Sequence, residues 1–223
     1  MHIPDGFIDL PTSAAFAAAS AIAVAGAVKG ARRQLSEQSA PLAGLTAVFI
    51  FAVQMLNFPV AAGTSGHLIG AALAMVLVGP YAATLALVVV LIIQAFLFAD
   101  GGLTALGLSI FNMAVISVWV SFAVFMVLKK LLPKTKSWLV VATFVSALIS
   151  VPAAAVGFVI QYAIGANATF SVGAVLNAMV GIHILIGIGE AIITALTVSA
   201  VLASRSDLVF GWDKKNTTLE IRS

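Results

Sequence analysis

Residues 68–99 read LIGAALAMVLVGPYAATLALVVVLIIQAFLFA and contain no charged side chain. The whole sequence has the same character, because 62% of its 223 residues are apolar and only 9% are charged. Soluble domains are about 45–50% apolar and about 25% charged. A soluble fold of this composition would expose a large apolar surface to water. The sequence therefore predicts an integral membrane protein with no room for a soluble catalytic domain.

Seven apolar segments predict an all-α polytopic bundle, since a membrane-spanning helix needs about 20 residues. The segments are residues 12–29, 41–58, 66–79, 81–99, 106–128, 138–164 and 172–203. The third segment is short. The Gly-containing stretch 59–66 before it is predicted to be a non-helical loop that neighbouring helices shield from lipid. We expect a single transmembrane domain, residues 1–203, followed by a cytoplasmic tail, residues 204–223.

The basic residues predict the orientation of these helices. They are Lys29, Arg32, Arg33, Lys129, Lys130, Lys134, Lys136, Arg205, Lys214, Lys215 and Arg222. With seven spans, all of them lie on one side of the membrane, which the positive-inside rule makes cytoplasmic, so the N-terminus is expected outside. The alternative is a cleaved signal peptide over residues 14–27. It is disfavoured because residues 1–13 contain no Lys or Arg, and we expect Met1 to be the mature N-terminus.

The residues and motifs that the sequence lacks exclude several functions. Cysteine is absent, which excludes disulfides and thiolate metal sites. The phosphate-binding motif G-x-x-x-x-G-K-[ST] and the hydrolase motifs H-E-x-x-H and G-x-S-x-G are also absent. We therefore expect a protein that is not an enzyme, has no ATPase of its own and binds no nucleic acid.

Polar side chains from several segments are predicted to meet at the outer face. Polar and ionisable groups inside a membrane are costly and mark candidate functional sites. On the predicted topology, this outer cluster consists of His2, Asn57, His67, Asp100, Asn112 and Asn177.

The first two residues offer three nitrogen donors to a metal ion. These are the Met1 amine, the His2 backbone amide and the His2 imidazole. The amine and the amide close a five-membered chelate ring, and the amide and Nδ1 close a six-membered ring, so the three donors lie in one plane. Ni(II), Cu(II) and low-spin Co(II) suit this planar geometry. His67 is on the correct side to supply a fourth nitrogen. The alternative is that His2 is simply exposed and that His67 caps or packs a helix.

The expected surroundings of His67 favour a neutral, metal-binding ring. Thr64 or Ser65 is predicted to be the N-cap of the third helix, which places His67 in its first turn. The helix dipole there disfavours an imidazolium ion. Asp100 or Asp5 is available to balance the charge of a bound cation, and a carboxylate or amide nearby can orient a ligand imidazole.

Two further groups of residues leave alternatives open. His183 and Glu190 share one face of the seventh segment. Three roles are open to them: a satisfied polar seam within the bundle, a contact with a partner subunit, or the proton relay of a secondary metal carrier. Ala15, Ala19 and Ala23 form a surface of small residues that permits close approach of a helix from this chain or from another.

Several motifs resemble the substrate-binding membrane components of energy-coupling-factor (ECF) transporters for nickel and cobalt, the CbiM/NikM family. The stretches that carry the resemblance are residues 1–7 (MHIPDGF), 57–60 (NFPV), 63–68 (GTSGHL), 98–107 (FADGGLTALG), 111–113 (FNM) and 187–191 (GIGEA). They occur in the same order and span nearly the whole chain. Ala61-Ala62 departs from the Pro-Gly pair expected at that position.

The resemblance implies an ECF S-component bundle that binds a metal ion through Met1, His2 and His67, with Ser65, Asn57, Asp100 and Asn112 around these ligands. It implies a transmembrane coupling (T) subunit, two cytoplasmic ATPases and often a small accessory membrane protein as partners. Ala15 and Ala19 would then face the coupling subunit. We expect Ni2+ as the transported substrate, with Co2+ as the alternative, and a location in the cell membrane.

Two alternatives of other classes remain. One is a proton-coupled carrier that works without an ATPase and uses His183 and Glu190. The other is a scaffold that transports nothing and whose outer polar cluster binds no ion.

Overall fold

The computed structural model of the protein describes residues 1–34, 40–60 and 64–212, with the backbone alone for residues 58–60, 64 and 65. Its elements, in order, are α1 (Leu10–Gln34), α2 (Ala40–Gln54), β1 (Phe58–Val60), β2 (Thr64–Gly66), α3 (Ala71–Leu97), α4 (Leu106–Ile110), a π-helical turn (Phe111–Ile116), α5 (Ser117–Leu131), α6 (Lys136–Gly165), α7 (Val172–Ser204) and a 3-10 turn (Ser206–Leu208). The predicted helical class is therefore confirmed, with a short β-hairpin added to it.

Most of these helices have the length and composition of membrane spans. In the described parts of the chain, five helices qualify: α1, α3, the continuous run of α4 and α5, α6, and α7. The helix α2 is apolar but shorter. Large apolar side chains such as Ile22, Leu185 and Leu196 point outward and are about two-thirds or more exposed. Apolar outer faces of this kind are expected where helices face lipid.

The helix α3 contains a reversal of the chain at Gly79. Gly79 has φ 80° and ψ 165° and precedes Pro80, so the helix is broken there. His67 and Asp100, which lie just beyond the two ends of α3, both contact His2. A straight helix of 27 residues would separate those ends by about 40 Å. The chain therefore turns back at Gly79, the boundary at which the sequence predicts the third and fourth segments to separate.

The start of this helix differs from the prediction. It begins at Ala71 and not near residue 66, and Gly70, with φ 77°, precedes it without a side-chain cap. The predictions that Thr64 or Ser65 caps the helix and that His67 lies in its first turn are therefore wrong. The backbone of residues 64–66 pairs instead with residues 58–60 as an antiparallel hairpin. This pairing agrees with the prediction of a non-helical stretch at 59–66.

Glu190 occupies the place of the missing N-cap. Its carboxylate accepts hydrogen bonds from the backbone N–H groups of Ile69 (2.6 Å) and Gly70 (3.0 Å). The N–H groups that precede a helix need acceptors, and here they come from α7, more than a hundred residues further along the chain. Glu190 thus attaches the segment that carries His67 to α7.

The other helix bounds lie close to the predicted ones, with one further correction. The second segment was predicted to be helical to Phe58, but α2 ends at Gln54 and Phe58 belongs to β1. The unusual Ala61-Ala62 pair lies outside the described residues. The helix α7 ends at Ser204, one residue beyond the predicted bound, and the chain after it packs onto the bundle as far as Trp212, with Gly211 against the Phe125 ring.

Small residues on α1 allow close packing at one of its faces. Ser20 Oγ donates a hydrogen bond to the Gly107 carbonyl oxygen (2.7 Å), and a side chain at Gly107 would collide with the backbone of Ala17. Of the three alanines of the predicted surface, Ala15 is exposed, and Ala19 and Ala23 are half-buried. That surface is therefore only partly covered by the described part of this chain.

Candidate metal-binding site

The N-terminal segment is folded into the protein and does not extend from it. Met1 and Ile3 are fully buried. The Ile3 carbonyl oxygen accepts a hydrogen bond from Gly102 N (2.9 Å), and Ile3 N donates to Ser109 Oγ (3.3 Å). Asp5 Oδ1 accepts hydrogen bonds from the backbone N–H (2.8 Å) and the hydroxyl (2.6 Å) of Thr104. The loop after α3 and the helix α4 therefore hold residues 3–5.

The next residues attach the segment to the turn between α6 and α7. Asp9 N donates to the Gly165 carbonyl oxygen (2.7 Å), and the Phe7 carbonyl oxygen accepts from Asn167 N (3.2 Å). The Phe7 ring packs against the Tyr162 ring, with centroids 5.1 Å apart. These contacts and those of residues 3–5 hold Met1 and His2 in the interior, where both are buried.

The His2 ring lies against the His67 ring. Their centroids are 4.9 Å apart and their planes differ by 29°. His2 Nε2 is 3.6 Å from Asp100 Oδ2, too far for a hydrogen bond. Asn57 Nδ2 donates to the same Asp100 oxygen at 3.0 Å. The structure therefore brings together five of the predicted site residues, namely Met1, His2, His67, Asp100 and Asn57.

The His67 ring has one nitrogen without a hydrogen-bond partner among the described residues. Its Nδ1 lies 2.8 Å from the Leu68 carbonyl oxygen, so Nδ1 carries the proton and Nε2 keeps its lone pair. His67 is fully buried, and its Nε2 has no hydrogen-bond partner among the described residues. A buried polar atom without a partner is costly. Such an atom suits a metal ligand.

Burial also favours the forms of the N-terminal groups that bind metal. It lowers the pKa of the Met1 amine to about 4 and, together with the nearby amine, the pKa of His2 to about 3. Both groups are therefore unprotonated at neutral pH and keep the lone pairs that a metal ion needs.

Other predicted site residues are not brought to this cluster. Asn112 Nδ2 donates to Gln161 Oε1 (2.7 Å) in the interior, and within the described residues no hydrogen bond joins it to the predicted ligands. Asn177 is exposed on α7. The backbone of Ser65 lies in β2, but its side chain is outside the described part of the chain.

Sequence reasoning missed the residues that hold the N-terminal segment. Ser109 and Thr104 contact the residues that follow the predicted ligands, and Asp9 Oδ1 accepts from Thr12 N (2.8 Å) as the N-cap of α1. Asp9 lies three residues before the predicted start of the first helix, at residue 12, but directly before the observed start of α1 at Leu10, and Asp is a favoured N-cap residue. No local sequence pattern could have predicted the hydrogen bond from Ile3 N to Ser109 Oγ, because the two residues are 106 positions apart in the sequence.

Side chains alone do not form a metal site here. The described residues contain no group of three or more His, Asp or Glu side chains that could hold an ion. A site built on His2 and His67 therefore needs additional donors from the backbone, and the Met1 amine and the His2 amide are the nearest in sequence.

Residues 2–208 match the family described as the cobalt uptake substrate-specific transmembrane region, CbiM. The chain belongs to this family. The predicted resemblance to the CbiM/NikM family is thus confirmed, and the protein is a membrane component of a metal-uptake family.

Several relatives support this assignment. A putative metal transport protein of Haloquadratum walsbyi is 39% identical over 94% of each chain. A putative fused nickel transport protein NikMN of Archaeoglobus fulgidus is 39% identical over 94% of this chain and 68% of its own. Cobalt transport protein CbiM 1 of Pelobacter propionicus is 35% identical over 56% of each chain. These relatives are named for transport of an ion and not for catalysis.

Two crystal structures of transition metal transporters share the fold. One, a truncated transporter, has a TM-score of 0.83 and 32% identity and covers 91% of this chain and 99% of its own. The other has a TM-score of 0.84 and 30% identity and covers 91% of this chain and 93% of its own. Both of these neighbours are named as transporters of a transition metal ion.

Proposed function

We propose that this protein is the substrate-binding subunit of an ATP-driven ECF importer of Ni2+. It binds the ion in a plane of four nitrogens: the Met1 amine, the deprotonated His2 amide, His2 Nδ1 and His67 Nε2. The observation that carries the proposal is the stacking of the His2 and His67 rings, 4.9 Å apart, beside a buried N-terminal amine. Three of the donors belong to one dipeptide, and the fourth comes from the segment before α3.

Asp100 completes the charge balance of this site. When His2 Nδ1 binds the metal ion, Nε2 carries the ring proton and faces Asp100 Oδ2, now 3.6 Å away. A carboxylate in that position fixes the orientation of a ligand imidazole and increases its basicity. Asn57 in turn holds the Asp100 carboxylate. The amide anion and Asp100 together neutralise the two positive charges of the ion.

The preference for Ni2+ over Co2+ follows from the donor set. Planar coordination by nitrogen suits d8 Ni(II). Release of the ion then requires the plane to be broken, and withdrawal of the N-terminal segment from His67 achieves this with little movement of the helices.

We infer seven spans, with the N-terminus outside the cell membrane and the C-terminus in the cytoplasm. The two arms of α3 on either side of Gly79 are the third and fourth spans. Gly79 lies against the Gln34 side chain, at the end of α1 that carries Arg32 and Arg33. The reversal is thus on the side of the positive charges. Lys214, Lys215 and Arg222 lie outside the described residues.

Import requires partners that supply energy, since the sequence has no nucleotide-binding motif of its own. We propose a transmembrane coupling subunit, cytoplasmic ATPases and a small accessory membrane protein. The exposed residues around Ala15 and Ala19 on α1 are the proposed contact with the coupling subunit, because small residues permit close helix packing.

Blocking the N-terminal amine tests the proposal. In the purified protein in detergent, two added residues before Met1, or the His2→Ala substitution, should weaken Ni2+ binding measured by calorimetry about 100-fold or more, about 2.7 kcal/mol. The same extension at the C-terminus is the control and should leave binding unchanged. Unaltered affinity after extension of the N-terminus would refute the site.

The rival hypothesis of a proton-coupled carrier makes a different prediction. Such a carrier takes up metal as the purified chain alone, in vesicles with a pH gradient. The proposed importer subunit, in contrast, binds the ion but needs its ATPase partners for uptake.

A further inference from the structure

A surface cleft away from the proposed metal site lies between the end of α5, the start of α6 and the chain that follows α7. Beside it, Phe210 N donates a hydrogen bond to the Val76 carbonyl oxygen (2.9 Å), one turn before the reversal at Gly79. The proposed metal site lies at the opposite ends of the two arms of α3. On the proposed topology, the cleft therefore opens at the cytoplasmic surface of the membrane.

Specific contacts hold the wall of the cleft that follows α7. Lys136 Nζ donates a hydrogen bond to the Leu202 carbonyl oxygen (2.8 Å) and lies 5.9 Å from the centroid of the Trp212 ring. Gly211 packs so closely on the Phe125 ring that a side chain at residue 211 would collide with it. The chain after α7 is thus joined to α5 and α6, and Trp212 has a defined place in the cleft.

The cleft combines positive charge with an apolar floor. Lys129 is half-buried and Lys134 is exposed, and neither side chain forms an ion pair or a hydrogen bond with a described residue. The described residues that line the cleft include no Asp or Glu. Its floor contains the buried side chains of Phe125, Leu139 and Ala142. Such a site suits a ligand with a negative charge at one end and an apolar body at the other.

Two tryptophans that line the cleft point to the same kind of ligand. Trp138 is 41% exposed and Trp212 is half-buried. The Nε1 atom of Trp212 is buried and has no hydrogen-bond partner among the described residues. A buried N–H without an acceptor is costly, and a ligand that brings an acceptor into the cleft offsets this cost. Tryptophan is also enriched at the membrane–water interface, at the level of the lipid headgroups.

We propose that this cleft binds one anionic phospholipid of the membrane. Its phosphate pairs with Lys129 and Lys134 and accepts a hydrogen bond from Trp212 Nε1, and an acyl chain lies against Phe125 and Leu139. Basic pockets between membrane helices at the cytoplasmic side bind anionic headgroups in this way. A lipid fits better than a free phosphate ion, because most of the cleft is apolar and it opens at the membrane surface.

Native mass spectrometry of the full-length, metal-free protein in a non-ionic detergent tests this proposal. It compares the first dissociation constants of dioleoyl phosphatidylglycerol, which is anionic, and dioleoyl phosphatidylcholine, which has the same chains and no net charge. We expect the wild-type protein to bind the anionic lipid about 30-fold more tightly, since each lysine near the surface contributes about fivefold.

Variants of the lysines locate the bound lipid. Lys129→Ala and Lys134→Ala should each lower the preference for the anionic lipid about fivefold, and the two together should abolish it. Replacing both lysines by arginine should retain it. Lys130→Ala is the matched control, because Lys130 is exposed at the same end of α5 but does not line the cleft. It removes the same charge and should leave the preference unchanged.

A tryptophan variant tests the hydrogen bond to the phosphate. Trp212→Phe removes the N–H donor and should weaken binding of the anionic lipid about 10-fold. Trp119→Phe is the control, because Trp119 is also half-buried but lies outside the cleft, against Tyr81 and Phe122. An excess of inorganic phosphate should not displace the lipid, since it has no acyl chain.

Four results would contradict the proposal. They are no preference for the anionic lipid in the wild-type protein, an equal loss in Lys130→Ala and Lys134→Ala, unchanged lipid affinity in Trp212→Phe, and displacement of the lipid by phosphate. None of these measurements involves a metal ion, so they are independent of the proposed function.

Discussion

Gly101 shows how the backbone around a single residue shapes the candidate site. It has φ 99°, a conformation that L residues rarely adopt, and it lies directly against His2. A Cβ atom at this position would be 3.0 Å from His2 Nδ1. The His2 ring therefore keeps its place against His67 only while residue 101 has no side chain.

We expect Gly101→Ala to weaken Ni2+ binding about 10-fold or more, because displacing a ligand or its support typically has an effect of that size. Gly6→Ala is the matched control. Gly6 also has a positive φ, 74°, but a Cβ atom added there would meet no other atom within 4 Å. Both variants carry the backbone strain, and only the first displaces His2. Equal Ni2+ affinity of the two variants in calorimetry would show that the contact with His2 is unimportant.

At the scale of secondary structure, α3 and α7 cooperate to position His67. The backbone before α3 is not capped by its own side chains, so the N–H groups of Ile69 and Gly70 depend on Glu190. A carboxylate near a helix N-terminus also interacts favourably with the helix dipole. The position of His67 is therefore set by a helix that lies far from it in sequence.

We expect Glu190→Gln to lower the thermal unfolding midpoint of the metal-free protein and to weaken Ni2+ binding. The two N–H groups bond to different carboxylate oxygens, and the substitution replaces one of these oxygens by an NH2 donor. A buried N–H left without a partner costs about 1–3 kcal/mol. Thr197→Ala is the control, since its hydroxyl bonds only to the Ile193 carbonyl oxygen of its own helix (2.8 Å). If Glu190 were only a proton relay, Glu190→Gln would impair uptake and leave both measured quantities unchanged.

At the scale of the whole molecule, the reversal at Gly79 brings both ends of α3 to the same end of the bundle. His2, Asn57, His67 and Asp100 come from four separate segments and meet there. Arg32 and Arg33, in the last turn of α1, lie beside the reversal at Gly79, and this cluster lies at the opposite ends of the two arms of α3. This separation of a polar site from positive charge is the arrangement expected of an importer that takes up a cation from outside.

The absence of cysteine makes this orientation directly measurable in cells. We expect Leu103→Cys, in the exposed loop beside the site, to react with a membrane-impermeant maleimide in intact cells. Lys134→Cys, exposed between α5 and α6, should react only after the membrane is permeabilised. The opposite labelling pattern would reverse the proposed topology and place the metal site on the cytoplasmic side.

Composition and local pattern were sufficient to predict the apolar segments and the chelate formed by Met1 and His2. Whether a helix spans the membrane depends on the apolar character of its own stretch of about 20 residues. The predicted segments at 106–128, 138–164 and 172–203 therefore lie close to the observed helices. The Met1–His2 chelate is equally local, because its donors are adjacent along the backbone. The break at Gly79 was also visible, since Gly and Pro in succession interrupt a helix.

The start of α3 and the meeting of His67 with His2 were decided by tertiary contacts. Local capping rules favoured Thr64 or Ser65, but the hairpin with residues 58–60 and the hydrogen bonds to Glu190, 121 residues from Ile69, moved the start to Ala71. Such contacts join residues that no local pattern relates. The sequence alone therefore determined which segments enter the membrane and which nitrogens can chelate. The packing of α7 and the loop after α3 decided where those nitrogens lie, because buried polar groups need partners wherever the fold supplies them.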